Sequence, residues 1–175
     1  LAIGSALGFI NGFLTAKLKL HSLVLTIGTA GIYGGAILVL TRGVAITGIP
    51  REIQFLGRGS LLGVPMPFII MLVMLAASAF LTLKTPFGRY MYAIGNNRDA
   101  ARMLGIPVDR IRILVFVMAG FLSALAGVLL VARLGTAQPS IGDAWVLGPI
   151  AAAVIGGVAT AGGVGMIVGA IFGAG

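Results

Sequence analysis

The 175-residue chain is 59% hydrophobic and 9% charged, with 28 glycines, no cysteine, one histidine and a formal net charge of +8. That balance, with a mean hydropathy of +1.13, excludes a soluble globular domain and a disordered segment and places the chain in a bilayer. Lack of cysteine removes disulfides and thiolate centres, and one histidine assembles no metal site. The cations sit at the ends of apolar runs, where orientation and lipid headgroups account for them without a nucleic acid.

Residues 1–16 are uncharged and meet Lys17 and Lys19, which predicts a first spanning helix. Gly4, Gly8 and Gly12 recur every four residues and line one face with bare backbone, the pattern that lets a second helix approach closely. Asn11 lies beside that face, and a polar amide there serves either a helix-to-helix hydrogen bond or a solute pathway. Residues 23–41 hold no charge over 19 positions, close to the ~20 needed to cross the hydrocarbon core. Thr26 and Thr29 return hydroxyl bonds to the preceding turn, with Thr26 a second pathway candidate, and Gly31 with Gly35 offers another small-residue face. His21 reads as a headgroup-level polar residue.

Residues 42–64 break the pattern with Gly43, Gly48, Pro50, Gly57 and Gly59 and carry Arg42, Arg51, Glu52 and Arg58, an outer connecting loop. Residues 65–83 form a third span, opened by Pro65 and Pro67 and closed by Lys84. Then comes a polar island, PFGRYMYAIGNNRDAARMLGIP. Between Lys84 and Arg112 six cations stand against two acids, Asp99 and Asp109. An excess of Lys and Arg in a short loop puts that loop on the cytoplasmic side. Within it Asn96 or Asn97 caps a helix of about two turns, Asp99 sits where the helix dipole favours an anion, and Gly105-Ile106-Pro107 ends it. A helix so short needs docking to stay ordered. Two readings fit the island: a solvated connector whose cations set topology, or a docking element whose small Ala100 and Ala101 permit close approach beside Met103 and Leu104.

Asp109 is expected to cap a helix from Arg110 to Ala132, giving a span at 111–132 with Gly120, Ala124, Ser123 and Gly127 as small packing positions. The chain then turns through Gly135, Pro139 and Gly142, carrying Gln138 as a further pathway candidate and Trp145 as an interfacial aromatic. Residues 146–175 are uncharged over 30 positions. One straight helix of that length would measure about 45 Å, too long for a single crossing. A fifth span at 149–175, broken near 156–163 at Gly156-Gly157 and Gly162-Gly163, is expected. Irregular backbone at depth needs protein or a water-filled cavity around it, so these glycines are pathway candidates, with close helix packing as the other explanation. The glycines from Gly163 to Gly169 follow no soluble strand and are not a dinucleotide loop, and no P-loop sequence occurs in this stretch.

The run from Gly88 to Leu134 resembles the cytoplasmic loop and following helix of permease subunits of ribose-type (simple-sugar) ABC importers. Gly88-Arg89, Ala93 to Asn96, Ala100 to Arg102 and Gly105-Ile106 fall in the family's order. So do Asn11-Gly12 before a basic pair, Thr26-Ile27-Gly28, Ala132-Arg133-Leu134, Ala137-Gln138-Pro139, Ile150-Ala151-Ala152, and Ile155-Gly156-Gly157 through Gly162-Gly163. There are two departures. His21-Ser22 stands where the family usually has a proline and an aromatic, and Val146-Leu147-Gly148-Pro149 replaces the common Glu-Leu-Asp, so no acidic binding role is assigned there.

The resemblance implies an all-α polytopic membrane helix bundle, a piece of a longer permease with one transmembrane domain over 1–175. It implies a multi-pass protein of the bacterial cytoplasmic (inner) membrane that is no enzyme itself. Gly95, Asn96, Asn97, Arg98, Asp99, Ala100, Ala101, Arg102 and Gly105 would form the coupling helix seated on a cytoplasmic ATPase. No cofactor or metal is expected on this chain, with ATP and Mg on the partners. Implied partners are a second permease subunit, two ATP-binding subunits, an extracytoplasmic binding protein meeting Glu52 and the outer arginines, and lipid. The solute would be sugar-like, with nucleosides, an autoinducer or branched-chain amino acids as alternatives. An ion-coupled secondary transporter shares the glycine packing and the broken helix, but no carboxylate lies within the apolar runs to bind its ion.

Overall fold

Long apolar runs without polar alternation have one simple way to satisfy their backbone in a bilayer, and this chain takes it by folding into helices. A computed structural model describes residues 1–18, 21–61, 63–158, 165 and 169. Its helices are α1 (Ala2–Leu18), α2 (Ser22–Thr41), α3 (Arg51–Arg58), α4 (Met66–Lys84), α5 (Pro86–Asn96), α6 (Arg98–Met103), α7 (Val108–Leu134) and α8 (Leu147–Ile155). The strands are two-residue pieces: β1 (Ile46–Thr47) pairs antiparallel with β4 (Thr136–Ala137), and β2 (Ser60–Leu61) with β3 (Val64–Pro65). The protein is all-α in class. Helices α2, α4 and α7 are long and apolar enough to cross a membrane.

Two compact units divide the chain: Leu1–Met71 with Arg112–Gly142, and Leu72–Ile111 with Asp143–Gly175. In the first unit, α1 and α7 meet backbone to backbone. A Cβ on Gly4 would overlap Gly120 and Ala124, one on Gly8 would overlap Phe116, and one on Gly12 would press on Phe116 and Ile113. The glycine repeat read in the sequence is therefore a contact face. The glycines of α2 behave differently, since Gly28, Gly31, Gly34 and Gly35 have nothing within 4 Å. Helix α2 lies beside α1 and is also joined to it by a polar bond, Tyr33 Oη donating to Asn11 Oδ1 at 3.3 Å.

The stretch 42–64, expected to be an outer loop, contains α3, and α3 is fixed to the far end of α7. Gly57 lies against Ala132 and the Arg133 backbone, and Ala132 is fully buried. Arg58 donates from Nε to the Arg133 carbonyl at 2.7 Å and from Nη2 to the Leu134 carbonyl at 3.0 Å. Those carbonyls belong to the last turn of a helix, where no intrahelical donor reaches and a cation is favoured. Gly135, at φ +75°, then turns the chain out of α7 into β4.

Two expected boundaries move. Pro65 sits in β3, so α4 opens at Met66 with Pro67 in its first turn. Helix α7 starts at Val108, which places Asp109 in its first turn and not at its cap. The long last run breaks as expected at its first glycine pair: α8 ends at Ile155, Gly156 follows, and Gly157 takes φ +82°. The second pair, Gly162-Gly163, lies outside the described residues.

Among the described residues the buried apolar side chains are Ala101, Val108, Ile111 and Ala132, whereas Ile3, Val39, Leu40, Leu83 and Leu147 are each more than two-thirds exposed. A water-soluble protein would reverse that distribution. Large side chains point outward and small ones make the contacts, as a lipid-facing bundle requires.

Candidate functional site

The polar island folds as two short helices joined at an asparagine. Thr85 lies in extended conformation before Pro86, whose missing N–H costs nothing at the first helical position. Gly88 sits so close to the Thr82 backbone that any side chain would overlap it, which lets α5 fold back directly against the end of α4. Helix α5 then runs to Asn96, so Gly95 and Asn96 belong to α5 and not to the short helix expected to carry them. Asn97 is the junction. In extended conformation, φ −154° and ψ 109°, it closes α5 through its own N–H to the Ala93 carbonyl. Its Oδ1 accepts from the Asp99 and Ala100 amides at 3.0 Å each, capping α6.

Helix α6 is six residues, one turn and a half. Its end is a Schellman motif: the Ile106 amide donates to the Ala101 carbonyl at 3.1 Å and the Gly105 amide to the Arg102 carbonyl at 3.0 Å, with Gly105 at φ +77°. Arg102 Nη2 then reaches Asp109 Oδ1 at 3.2 Å across the turn. Asp109, displaced from its expected capping role, thereby ties α6 to the first turn of α7. Both side chains are about half exposed, so the pair adds roughly 0.2–1 kcal/mol and acts as a local guide.

The chemistry of α6 follows from which side chains remain outside. Ala101 is 2% exposed and faces inward, a packing position within the chain. Arg98, Asp99, Ala100 and Arg102 are exposed, and at the tip Met103 and Leu104 are 90% and 79% exposed. The island therefore presents a small apolar tip flanked by cations. Met103 and Leu104 form its exposed apolar face, with Ala100 exposed beside them.

The pathway candidates are placed separately. Asn11 is half-buried and holds Tyr33. The Thr26 hydroxyl donates within its own helix, to the carbonyls of Ser22 at 2.9 Å and Leu23 at 3.1 Å. Gln138 is exposed just beyond β4, and Gly156 and Gly157 form the break after α8. Sequence reasoning missed Tyr92, whose Oη donates to the Gly165 carbonyl at 2.8 Å and so links α5 to the glycine-rich run. An aromatic in a cation-rich loop gives no signal of such a reach.

Fold and site together define a multi-pass α-helical membrane protein with a structured, cation-rich loop between two spanning helices. The family described as branched-chain amino acid transport system / permease component matches residues 1–175, and the chain belongs to it. The chain is 44% identical over 165 residues to the ribose import permease protein RbsC of Bacillus subtilis, covering 93% of this chain and 51% of that protein. It is 40% identical over 178 residues to the ribose import permease of Haemophilus influenzae, covering 99% and 55%. The autoinducer 2 import system permease protein LsrC of Escherichia coli K12 is 40% identical over 174 residues, covering 99% and 51%. The chain thus spans about half the length of the curated relatives it matches. No solved structure matches.

Proposed function

We propose that the chain is part of the permease subunit of a bacterial ABC importer of the cytoplasmic membrane, passing a sugar-like solute inward by alternating access. The observation that carries this reading is the 44% identity with a ribose import permease over 93% of the chain, which includes the whole island. A binding protein delivers solute outside, two permease subunits form the pathway, and two cytoplasmic subunits bind and hydrolyse ATP with Mg. Their movement is received at α6, where the exposed Ala100, Met103 and Leu104 present apolar contact between Arg98 and Arg102. A partner shifts the access equilibrium only if it contacts the two states differently, and an ordered helix on the end of α7 offers that difference. Asn11, Gln138 and the glycine break at Gly156-Gly157 are the candidates for meeting solute.

Autoinducer 2 is the second solute reading, favoured by identities of 40–42% with several autoinducer 2 permeases. The test is isolation of the full-length protein from membranes, with ATPase rates measured against binding proteins and a panel of pentoses, hexoses, nucleosides, autoinducer 2 and branched-chain amino acids. Copurification of an ATPase whose turnover rises only with a loaded binding protein is expected. Solute flux that follows an ion gradient, with no ATPase bound, overturns the reading.

A further inference from the structure

The contact line between α1 and α7 ends, one residue before Ile113, in an arginine. Arg112 Nη1 donates to the Thr15 carbonyl at 3.3 Å, and Nη2 donates to the Ser22 hydroxyl at 2.9 Å. Thr15 lies in the last turn of α1, among the four carbonyls that lack a partner within the helix, and Ser22 is the first residue of α2. One guanidinium on α7 therefore holds the end of one helix and the start of the next.

The two halves of this clasp differ energetically. A cation at the C-terminus of α1 is favoured by the helix dipole, but a cation at the N-terminus of α2 is opposed by it. His21, the residue before α2, gives no side-chain cap, and the Ser22 hydroxyl is engaged with Arg112. The bond to Ser22 therefore joins two helices at a position where it does little for α2 alone. The packing points the same way. Glycine contact locks α1 to α7, whereas α2, whose glycines meet nothing within 4 Å, lies beside α1 and is hydrogen-bonded to the pair through Tyr33–Asn11 and Ser22–Arg112.

We propose that Arg112 is a positioning residue that makes α2 follow the α1–α7 pair when α7 is displaced from its α6 end, so that force received at the island moves three helices together. This rests on the importer reading above. Without Arg112, α1 and α7 still move as one body through their glycines, α2 lags, and ATP is hydrolysed without full opening or closing of the pathway.

The experiment uses the full-length protein reconstituted in vesicles with its ATPase and binding protein, measuring ATP hydrolysed per molecule of labelled ribose or autoinducer 2 taken up. In Arg112→Gln, assembly with the ATPase and the hydrolysis rate are retained while ATP per solute rises about tenfold, the scale set by loss of a charged hydrogen bond. Arg112→Lys, which keeps the charge and loses the fork, and Ser22→Ala rise less. The Arg112→Gln, Ser22→Ala double variant is no worse than Arg112→Gln, because the two act through one bond. A purely structural arginine would lower the amount of assembled protein and leave the ratio unchanged. An unchanged ratio in Arg112→Gln overturns the proposal; if that variant does not assemble, unchanged ratios in both Arg112→Lys and Ser22→Ala overturn it. A wild type without ATP-dependent uptake overturns the importer reading, and this inference with it.

Discussion

Asn97 carries more of the island than its size suggests, because one side chain and one amide end α5 and begin α6. Helix α6 has six residues, far below the length at which a helix sustains itself in water, so its order rests on its two ends. Replacing Asn97 by Ala removes both cap bonds at a cost of ~1 kcal/mol, or about fivefold in the population of the opened segment. Trypsin cleavage after Arg98 and Arg102 in inside-out vesicles should accelerate by about that factor, if opening precedes cleavage. An unchanged rate would mean that external packing, not the cap, orders α6. The stop and start signals here were legible because Asn, Asp and Gly-Ile-Pro act within a few residues of themselves. The inward turn of Ala101 was not, since a six-residue helix has too few positions to show a buried face. Tyr92 is a contact of the same illegible kind: it meets Gly165, 73 positions away. Tyr92→Phe deletes the hydroxyl alone, and a lower melting midpoint in detergent should follow; an unchanged midpoint would show that this bond bears no load.

Among elements, the sharpest contrast lies along α7. Gly120 and Gly127 are both glycines in one apolar helix, but a Cβ at Gly120 would overlap the Gly4 carbonyl, whereas Gly127 has nothing within 4 Å. Gly120→Leu should therefore drive α1 and α7 apart and abolish most monodisperse protein in detergent, an overpacking cost of at least ~1–3 kcal/mol. Gly127→Leu should leave yield and melting midpoint close to wild type. Equal loss in both would refute the contact assignment. Sequence spacing identified the Gly4, Gly8, Gly12 face and the break at Gly156-Gly157, because small residues at a fixed period expose bare backbone along one face and a glycine pair is the weakest point of an overlong run. The same spacing on α2, at Gly31 and Gly35, met no partner within the described chain, since a small-residue pattern marks a surface able to pack without naming what packs there. Helix α3 escaped notice for the opposite reason. Eight residues between Pro50 and Gly59 look like loop, and what fixes them is Arg58 reaching carbonyls 75 and 76 positions away.

At the scale of the whole molecule, the cations gather in separate stretches of the chain. Eight of the twelve cations, Lys17, Lys19, Lys84, Arg89, Arg98, Arg102, Arg110 and Arg112, fall at the α1–α2 connection or the island. The other four, Arg42, Arg51, Arg58 and Arg133, fall between α2 and α4 or in the last turn of α7. The bonds of Arg112 to Thr15 and Ser22 put the start of α7 at the same end as the α1–α2 connection. Those of Arg58 to Arg133 and Leu134, with the β1–β4 pairing, put the stretch after α2 at the other end of α7. Lys and Arg in short loops are retained on the cytoplasmic side, at a cost of translocation that Asp and Glu do not share, so the α1–α2 connection and the island are each expected on the inner side. Because this segment contains no cysteine, single replacements in a full-length protein cleared of any others read that orientation directly. Met103→Cys, at the exposed tip of α6, should resist a membrane-impermeant maleimide added to intact cells and react in inverted vesicles. Ser60→Cys, in the exposed β2 at the outer end, should show the reverse. If the two labels exchange sides, α6 faces outward, the proposed coupling to cytoplasmic ATP-binding subunits falls, and the island becomes a docking surface for an external protein.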